Sequence, residues 1–169
     1  MLSIDLRFLD AHATRIDAVL AADDAVWLET DARPAIGVQV TGRLSRAGTE
    51  RYYFSGRIEG TTQNTCRRCL IDVDVPVADD VHVLFAETDG EESDESDVYL
   101  IDAHEHSLDL RPAIREQWLL IVPSLVVCRE DCKGLCPTCG ADLNLGACSC
   151  APTQDPRWNV LRSLDESAR

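Results

Sequence analysis

All eight cysteines of this chain fall into four close pairs: Cys66-x-x-Cys69, Cys128-x-x-x-Cys132, Cys136-x-x-Cys139 and Cys148-x-Cys150. Six of them occupy residues 128–150. Two thiolates separated by a two-residue turn point their sulfurs inward and can share one tetrahedral ion, while backbone N–H groups of the turn donate to the sulfurs. In Cys136-Pro137-Thr138-Cys139-Gly140 the proline pre-sets the turn and the glycine can adopt a positive φ. The expected zinc site is Cys136, Cys139, Cys148 and Cys150, closed by a turn-rich loop over 140–147 that contains Asn144 and Gly146. A competing set exchanges one of those pairs for Cys128 and Cys132, and spacing alone does not choose between them. The remaining four thiols, Cys66 and Cys69 among them, complete a second site if the sheet brings the first pair to the C-terminal module. Arg129 and Lys133 are expected to compensate thiolate charge and not to ligate.

Other chemistry is weaker. Arg67 and Arg68 would favour a thiolate in the Cys66–Cys69 pair, but a dithiol redox motif opens a helix in a β-α-β unit, and this pair lies among strand signals. Asp102, His104, Glu105 and His106 are close in sequence, yet a turn of that composition is ordinarily a solvated loop. No nucleophile elbow, phosphate-binding glycine loop or H-E-x-x-H is present. No catalytic residue is expected, and no small-molecule substrate.

The elements that position the cysteines read as mostly β. Leu2 to Leu6 alternates and predicts a first strand, after which Ile16, Val19 and Leu20 suggest a helix. Ile36 to Val40, Tyr52 to Phe54, Ile71 to Val75 and Val81 to Phe85 predict strands, with turns at 46–48 and 56–60. Val98 to Ile101 predicts another strand. Asp109 caps a helix with Pro112 in its first turn, with Leu110, Ile114 and Trp118 on one face and Pro123 ending it. A last helix starts at Asp155-Pro156 and carries Trp158, Leu161 and Leu164. The expected class is α+β. An antiparallel β-rich body, either a sheet or a partly open barrel, covers 1–86, and an acidic linker covers 87–97. Residues 98–169 add a strand, a few helices and the zinc-binding cysteine module, completing the same fold.

The net charge of -14 over 169 residues is unevenly spread. Residues 87–110 hold ten acidic side chains and no Lys or Arg, and the start of that stretch reads as a solvated, self-repelling linker or a docking strip for a basic partner. Between Arg43 and Arg68, six arginines (Arg43, Arg46, Arg51, Arg57, Arg67 and Arg68) outnumber Glu50 and Glu59. With Tyr52, Tyr53 and Phe54 interleaved, they are the candidate contacts to RNA or another partner. Alternation places Tyr53 on the face opposite Tyr52 and Phe54, so one aromatic face is core. Hydrophobic residues at 45% and charged residues at 27% are ordinary for a globular chain. The apolar run Trp118 to Cys128 is too short and interrupted for a membrane span. The first residues show no secretory leader, so a cytoplasmic location is expected, where reduced thiols bind metal more readily than they pair.

The string Cys66-Arg67-Arg68-Cys69-Leu70, the acidic insertion, the helix ending at Pro123, the run from Cys132 to Gly140, Leu143-Asn144, Cys148-Ser149-Cys150 and Asp155-Pro156-Arg157 together resemble the YceD family, the large ribosomal RNA subunit accumulation proteins of bacteria and plastids. The resemblance implies a non-enzymatic role in large-subunit ribosomal RNA maturation or accumulation. The implied partners are that RNA, pre-ribosomal particles or large-subunit ribosomal proteins. A protein–protein adaptor that holds a basic ribosomal protein is the alternative, and a dithiol oxidoreductase is a further one.

Overall fold

The computed structural model describes residues 2–9, 13–88, 98–102, 104–151 and 157. The chain divides into two compact units. One comprises Met1–Asn64 with Val73–Ser124, and the other Thr65–Asp72 with Leu125–Arg169.

The first unit is built on long strands. β1 (Ser3–Asp5) pairs antiparallel with β7 (Ser107–Asp109). The main sheet has the order β2-β3-β4-β5-β6, with β2 Thr14–Ala21, β3 Pro34–Arg46, β4 Arg51–Thr65, β5 Asp72–Thr88 and β6 Val98–Asp102. β2 and β4 both run antiparallel to β3, whereas β6 runs parallel to β5 from the Leu84–Val98 pair onward. The sheet is therefore mixed, not purely antiparallel. Its inward side chains, including Leu20, Val38, Val40, Leu44, Phe54, Ile58, Val83 and Phe85, form one core with Leu108, Leu110, Ile114 and Trp118. The last two come from α1 (Arg111–Ile121). Among the described residues α1 is the single α-helix, accompanied by one 3₁₀ turn at Leu6–Phe8. Pro112 lies in its first turn, and Asp109 accepts the Arg111 N–H at 2.9 Å although Leu110 occupies the cap position.

The helix expected over Ile16 to Leu20 is strand β2. Ile16 and Leu20 are buried at even positions while Val19 is 58% exposed, so the period is two and not 3.6. The turn expected at 56–60 also falls inside a strand. A Cβ at Gly56 would lie 2.7 Å from Phe54 Cζ, and one at Gly60 would lie 2.9 Å from Trp118 Cη2 and Cζ3. Those glycines admit aromatic rings against the backbone of β4. The two strands expected over 71–75 and 81–85 are one, β5. Glu87 and Thr88 of the acidic segment belong to β5, while residues 89–97 and the helix expected from Asp155, with Trp158, Leu161 and Leu164, lie outside the described residues. Asp102, His104, Glu105 and His106 stand at the β6–β7 turn, where Asp102 Oδ1 accepts the His104 N–H at 2.8 Å. Among the described residues no helix is long and apolar enough to cross a membrane.

Candidate metal centres

The second unit contains all eight cysteines, each with a free thiol. They gather as two tetrads, Cys66, Cys69, Cys128 and Cys132, and Cys136, Cys139, Cys148 and Cys150, each with its sulfurs within 4.8 Å of one another. Either tetrad could hold a metal ion. Cys128 and Cys132, which spacing left free to join either neighbour, stand with the Cys66–Cys69 pair.

Both tetrads begin with the same backbone turn. Cys66 N–H donates to Ile71 O at 2.8 Å and Leu70 N–H to Cys66 O at 2.9 Å, while Cys136 N–H donates to Ala141 O at 2.8 Å and Gly140 N–H to Cys136 O at 2.9 Å. The fifth residue of each turn has a positive φ, 61° at Leu70 and 74° at Gly140. Glycine adopts that region without a steric penalty, whereas Leu70 does so against its own Cβ. The turns aim amides at the leading sulfurs. The N–H of Cys69 outweighs burial, and with those of Arg68 and Cys128 it brings the Cys66 thiol down to about 6; the amides of Cys139 and Thr138 do the same for Cys136. Burial, followed by hydrogen bonds in which its neutral thiol donates to Cys132 and Cys69, pushes Cys128 up to about 12. Four sulfurs this close cannot all ionise unless a cation neutralises them.

The spacing fits such a cation. A tetrahedral zinc–thiolate site with bonds of about 2.3 Å has sulfur–sulfur edges of about 3.8 Å. In the first tetrad Cys66 and Cys132 are 4.0 Å apart and Cys69 and Cys128 3.6 Å, and the Cys128 amide donates to Cys66 Sγ at 3.3 Å. This tetrad is the more enclosed. Cys66, Cys69 and Cys132 are buried, whereas in the second tetrad Cys139 is exposed and Cys148 and Cys150 are half-buried.

The surroundings reassign several residues. Arg68 donates through Nη1 to the carbonyls of Glu130 and Cys132, both at 2.9 Å, and its own carbonyl accepts from the Leu135 N–H at 2.9 Å, so it holds the Cys128–Cys132 loop. Arg67 is exposed and is anchored through its amide to Val126 O. Arg129 bonds Asn144 Oδ1 at 2.8 Å and Asp131 at 3.1 Å, and Lys133 offers its backbone N–H to Asn144 Oδ1 at 2.9 Å. Asn144, read from sequence as a loop residue, donates its amide to Cys132 Sγ at 3.6 Å. The local signal was an asparagine in the loop between two cysteine pairs, which does not reveal a target in the other tetrad.

The other four candidate contact arginines belong to the first unit. Arg43 and Arg46 lie on β3, and Arg51 and Arg57 on β4, all exposed. Arg57 is engaged by Glu59 and Asp80, and Arg46 Nε donates to Gly48 O at 3.2 Å. Tyr52 and Phe54 are core. Tyr53 faces outward with its ring stacked on His82 at 6.0 Å and its hydroxyl 2.9 Å from His82 Nδ1.

A family model described as "Large ribosomal RNA subunit accumulation protein YceD" matches residues 54–165, a span that includes both tetrads. The uncharacterized protein YlbN of Bacillus subtilis is 27% identical over 161 residues, covering 94% of this chain and 92% of that protein. The uncharacterized protein Mb2951c of Mycobacterium bovis is 33% identical over 116 residues, covering 67% of this chain and 55% of its own length. The Zea mays chloroplastic protein named large ribosomal RNA subunit accumulation protein YCED homolog 1 is 38% identical over 63 residues, 37% of this chain and 22% of the maize protein. No solved structure matches.

Proposed function

The chain belongs to the YceD family, and from that premise we propose that it is a cytoplasmic, non-catalytic ribosome biogenesis factor that supports large-subunit ribosomal RNA maturation or accumulation. The family match over 54–165 carries the reading, and the name of the maize relative supports it. Each tetrad would hold one zinc, Cys66, Cys69, Cys128 and Cys132 the first and Cys136, Cys139, Cys148 and Cys150 the second. Zinc supplies rigid cross-links that fix loops with few apolar side chains of their own.

Contact with the pre-ribosomal particle is assigned to exposed Arg43 and Arg67 for RNA. A protein partner is the second reading, and a specific observation favours it: the guanidiniums of Arg57 and Arg68 are engaged by carboxylates and carbonyls of the chain itself. The acidic stretch then holds a basic ribosomal protein.

The test combines elemental analysis of purified protein with sedimentation of cell extract, followed across the ribosomal fractions. The expected result is two zincs per chain and co-migration with large-subunit precursors. Depletion of the protein should lower large-subunit relative to small-subunit ribosomal RNA. Metal-free protein with eight titratable thiols and no ribosomal association would overturn the reading. Loss of association in Arg67→Glu would select RNA, and loss on deleting residues 89–97 would select the protein partner.

A further inference from the structure

We propose that Asn144 is a positioning residue that couples the two metal sites, so that filling the second tetrad tightens the first. This rests on the metal-binding part of the proposed function. The amide of Asn144 uses its full hydrogen-bonding capacity. Nδ2 donates to Cys132 Sγ at 3.6 Å and to Asp142 Oδ1 at 2.7 Å, while Oδ1 accepts the Lys133 N–H at 2.9 Å and an Arg129 guanidinium N–H at 2.8 Å. Two donors and two lone pairs are all spent. Reversing the amide would turn an oxygen toward a thiolate and toward the Asp142 carboxylate, and two N–H groups toward the N–H donors of Lys133 and Arg129. The network therefore fixes which atom faces the sulfur.

The residue sits on one site and acts on the other. Asn144 lies in the loop between Cys139 and Cys148, both members of the second tetrad. That loop is fastened to the segment after Cys132 by the Leu135–Asp142 bridge and by the Leu143 N–H to Gly134 O bond at 2.9 Å. Asp142 further orients Asn144 by accepting its backbone N–H at 2.9 Å. Closing the loop with a metal at Cys136, Cys139, Cys148 and Cys150 places Nδ2 at Cys132, where an N–H donor stabilises thiolate charge on a ligand of the first ion. With the second tetrad empty, the loop is held only by those backbone bonds and by the bonds of Asn144 itself, and the Nδ2 donor at Cys132 is less firmly placed. Because binding linkage is reciprocal, the first metal tightens the second by the same factor.

Groups that orient or hydrogen-bond metal ligands typically contribute about 10–100-fold in metal affinity, and that range is the coupling expected here. The experiment uses the full chain and Zn²⁺ in competition with a chromophoric chelator, with Co²⁺ as the spectroscopic probe. Disabling the second tetrad with Cys139→Ser and Cys148→Ser should weaken zinc at the first tetrad by about 10–100-fold. In an Asn144→Ala background the same two changes should alter first-site affinity by less than about threefold. Asn144→Ala should also move the thiolate-to-cobalt charge-transfer band to lower energy, since a sulfur relieved of an N–H donor gives up an electron more readily. A variant merely loosened elsewhere would not shift that band.

Native mass spectrometry of the unaltered chain gives a second reading that needs no variant. At half saturation, two equal independent sites leave half of all chains with one ion, whereas coupling of tenfold leaves about a quarter and of 100-fold about a tenth. A first-site affinity that is unchanged when the second tetrad is disabled overturns the inference, as does full coupling that persists without Asn144. A chain that takes up no metal overturns the metal reading itself, and two uncoupled metals overturn only the role of Asn144.

Discussion

The two cysteine turns share their hydrogen bonds but differ at one backbone position, which permits a calculation of what that position costs. Gly140 has φ 74° and a Cβ built there meets nothing within 4 Å, so Gly140→Ala adds conformational strain without a clash. A left-handed residue with a Cβ costs about 1–2 kcal/mol, from which the smaller freedom of alanine in the unfolded chain returns roughly 0.5–1 kcal/mol. The net loss is about 0.5–1 kcal/mol, and on the proposed reading, in which folding of the unit and zinc binding are one process, zinc affinity at the second tetrad should fall about 2–5-fold. Leu70 offers the mirror experiment at φ 61°. Leu70→Gly relieves the same strain but forfeits the burial of a side chain already 62% exposed, a loss of about 0.6–1 kcal/mol that roughly cancels the gain. The cleaner comparison is therefore Leu70→Gly against Leu70→Ala, in which neither variant keeps the leucine and glycine should bind zinc about 2–5-fold more tightly. Each tetrad is read by chelator competition in a chain whose other tetrad carries two Cys→Ser changes. Gly140→Ala that binds as tightly as the parent, or alanine outperforming glycine at position 70, would refute the equivalence of the two turns.

Gly60→Ala should destabilise the first unit by about 1–3 kcal/mol in chemical denaturation, because its Cβ is pressed between the Trp118 ring and Gly37 O at 3.0 Å. Combined with Trp118→Leu the two costs should be clearly less than additive, and strict additivity would count against that contact. Asp31 receives a bidentate bond from Arg115 at 2.6 and 2.7 Å and is held below the usual carboxylate range, first by that bond. A depressed folded-state pKa contributes stability that is full above the unfolded carboxylate value of about 3.9 and is lost as pH falls through the folded value. Asp31→Asn should thus cost stability at about pH 6, and the gap from the parent should narrow toward about pH 3; a gap constant with pH would refute the linkage. Removing metal with a chelator should abolish hydrogen-exchange protection of the Cys66 and Cys136 amides while the β3–β4 amides of the first unit keep theirs. Unchanged protection at both cysteine turns would argue that they fold without a metal.

The strands over Ile36–Val40, Tyr52–Phe54 and Val81–Phe85 were legible because one face of each is buried in the core and the other is not, which writes a period of two into the residues. β2 was misread because Ile16, Val19 and Leu20 also satisfy helical spacing, and the side of the sheet that leaves Val19 outside is a tertiary fact. Gly56 and Gly60 look like turn residues until the rings that lie over them are seen, and Trp118 is 58 residues from Gly60 in sequence. The parallel pairing of β6 depends on the long connection from β5, about which local pattern says nothing. Thiol spacing identified the local cysteine pairs. Assigning Cys128 and Cys132 to Cys66 and Cys69 required knowing which segments meet across roughly 60 residues of chain. Arg68 is expected from sequence as a contact to RNA or another partner because its charge is visible there, whereas the two carbonyls it serves are not.

The first tetrad joins sulfurs 59 and 66 residues apart, whereas the second is complete within residues 136–150. On a chain elongating at about 5–20 residues per second, Cys66 and Cys69 are synthesised some 3–12 s before Cys128 exists. For that interval they are exposed dithiols, open to oxidants and to whatever metal is in excess. The later cysteines close a short loop almost as soon as they are made, at a much smaller entropic cost than the long one. Cys66 and Cys69, which belong to the more enclosed tetrad of the finished protein, thus wait about 60 residues of synthesis before their partners exist, whereas Cys136 waits only 14 for Cys150. The cluster best shielded at the end is the one whose first thiols stand open longest during synthesis.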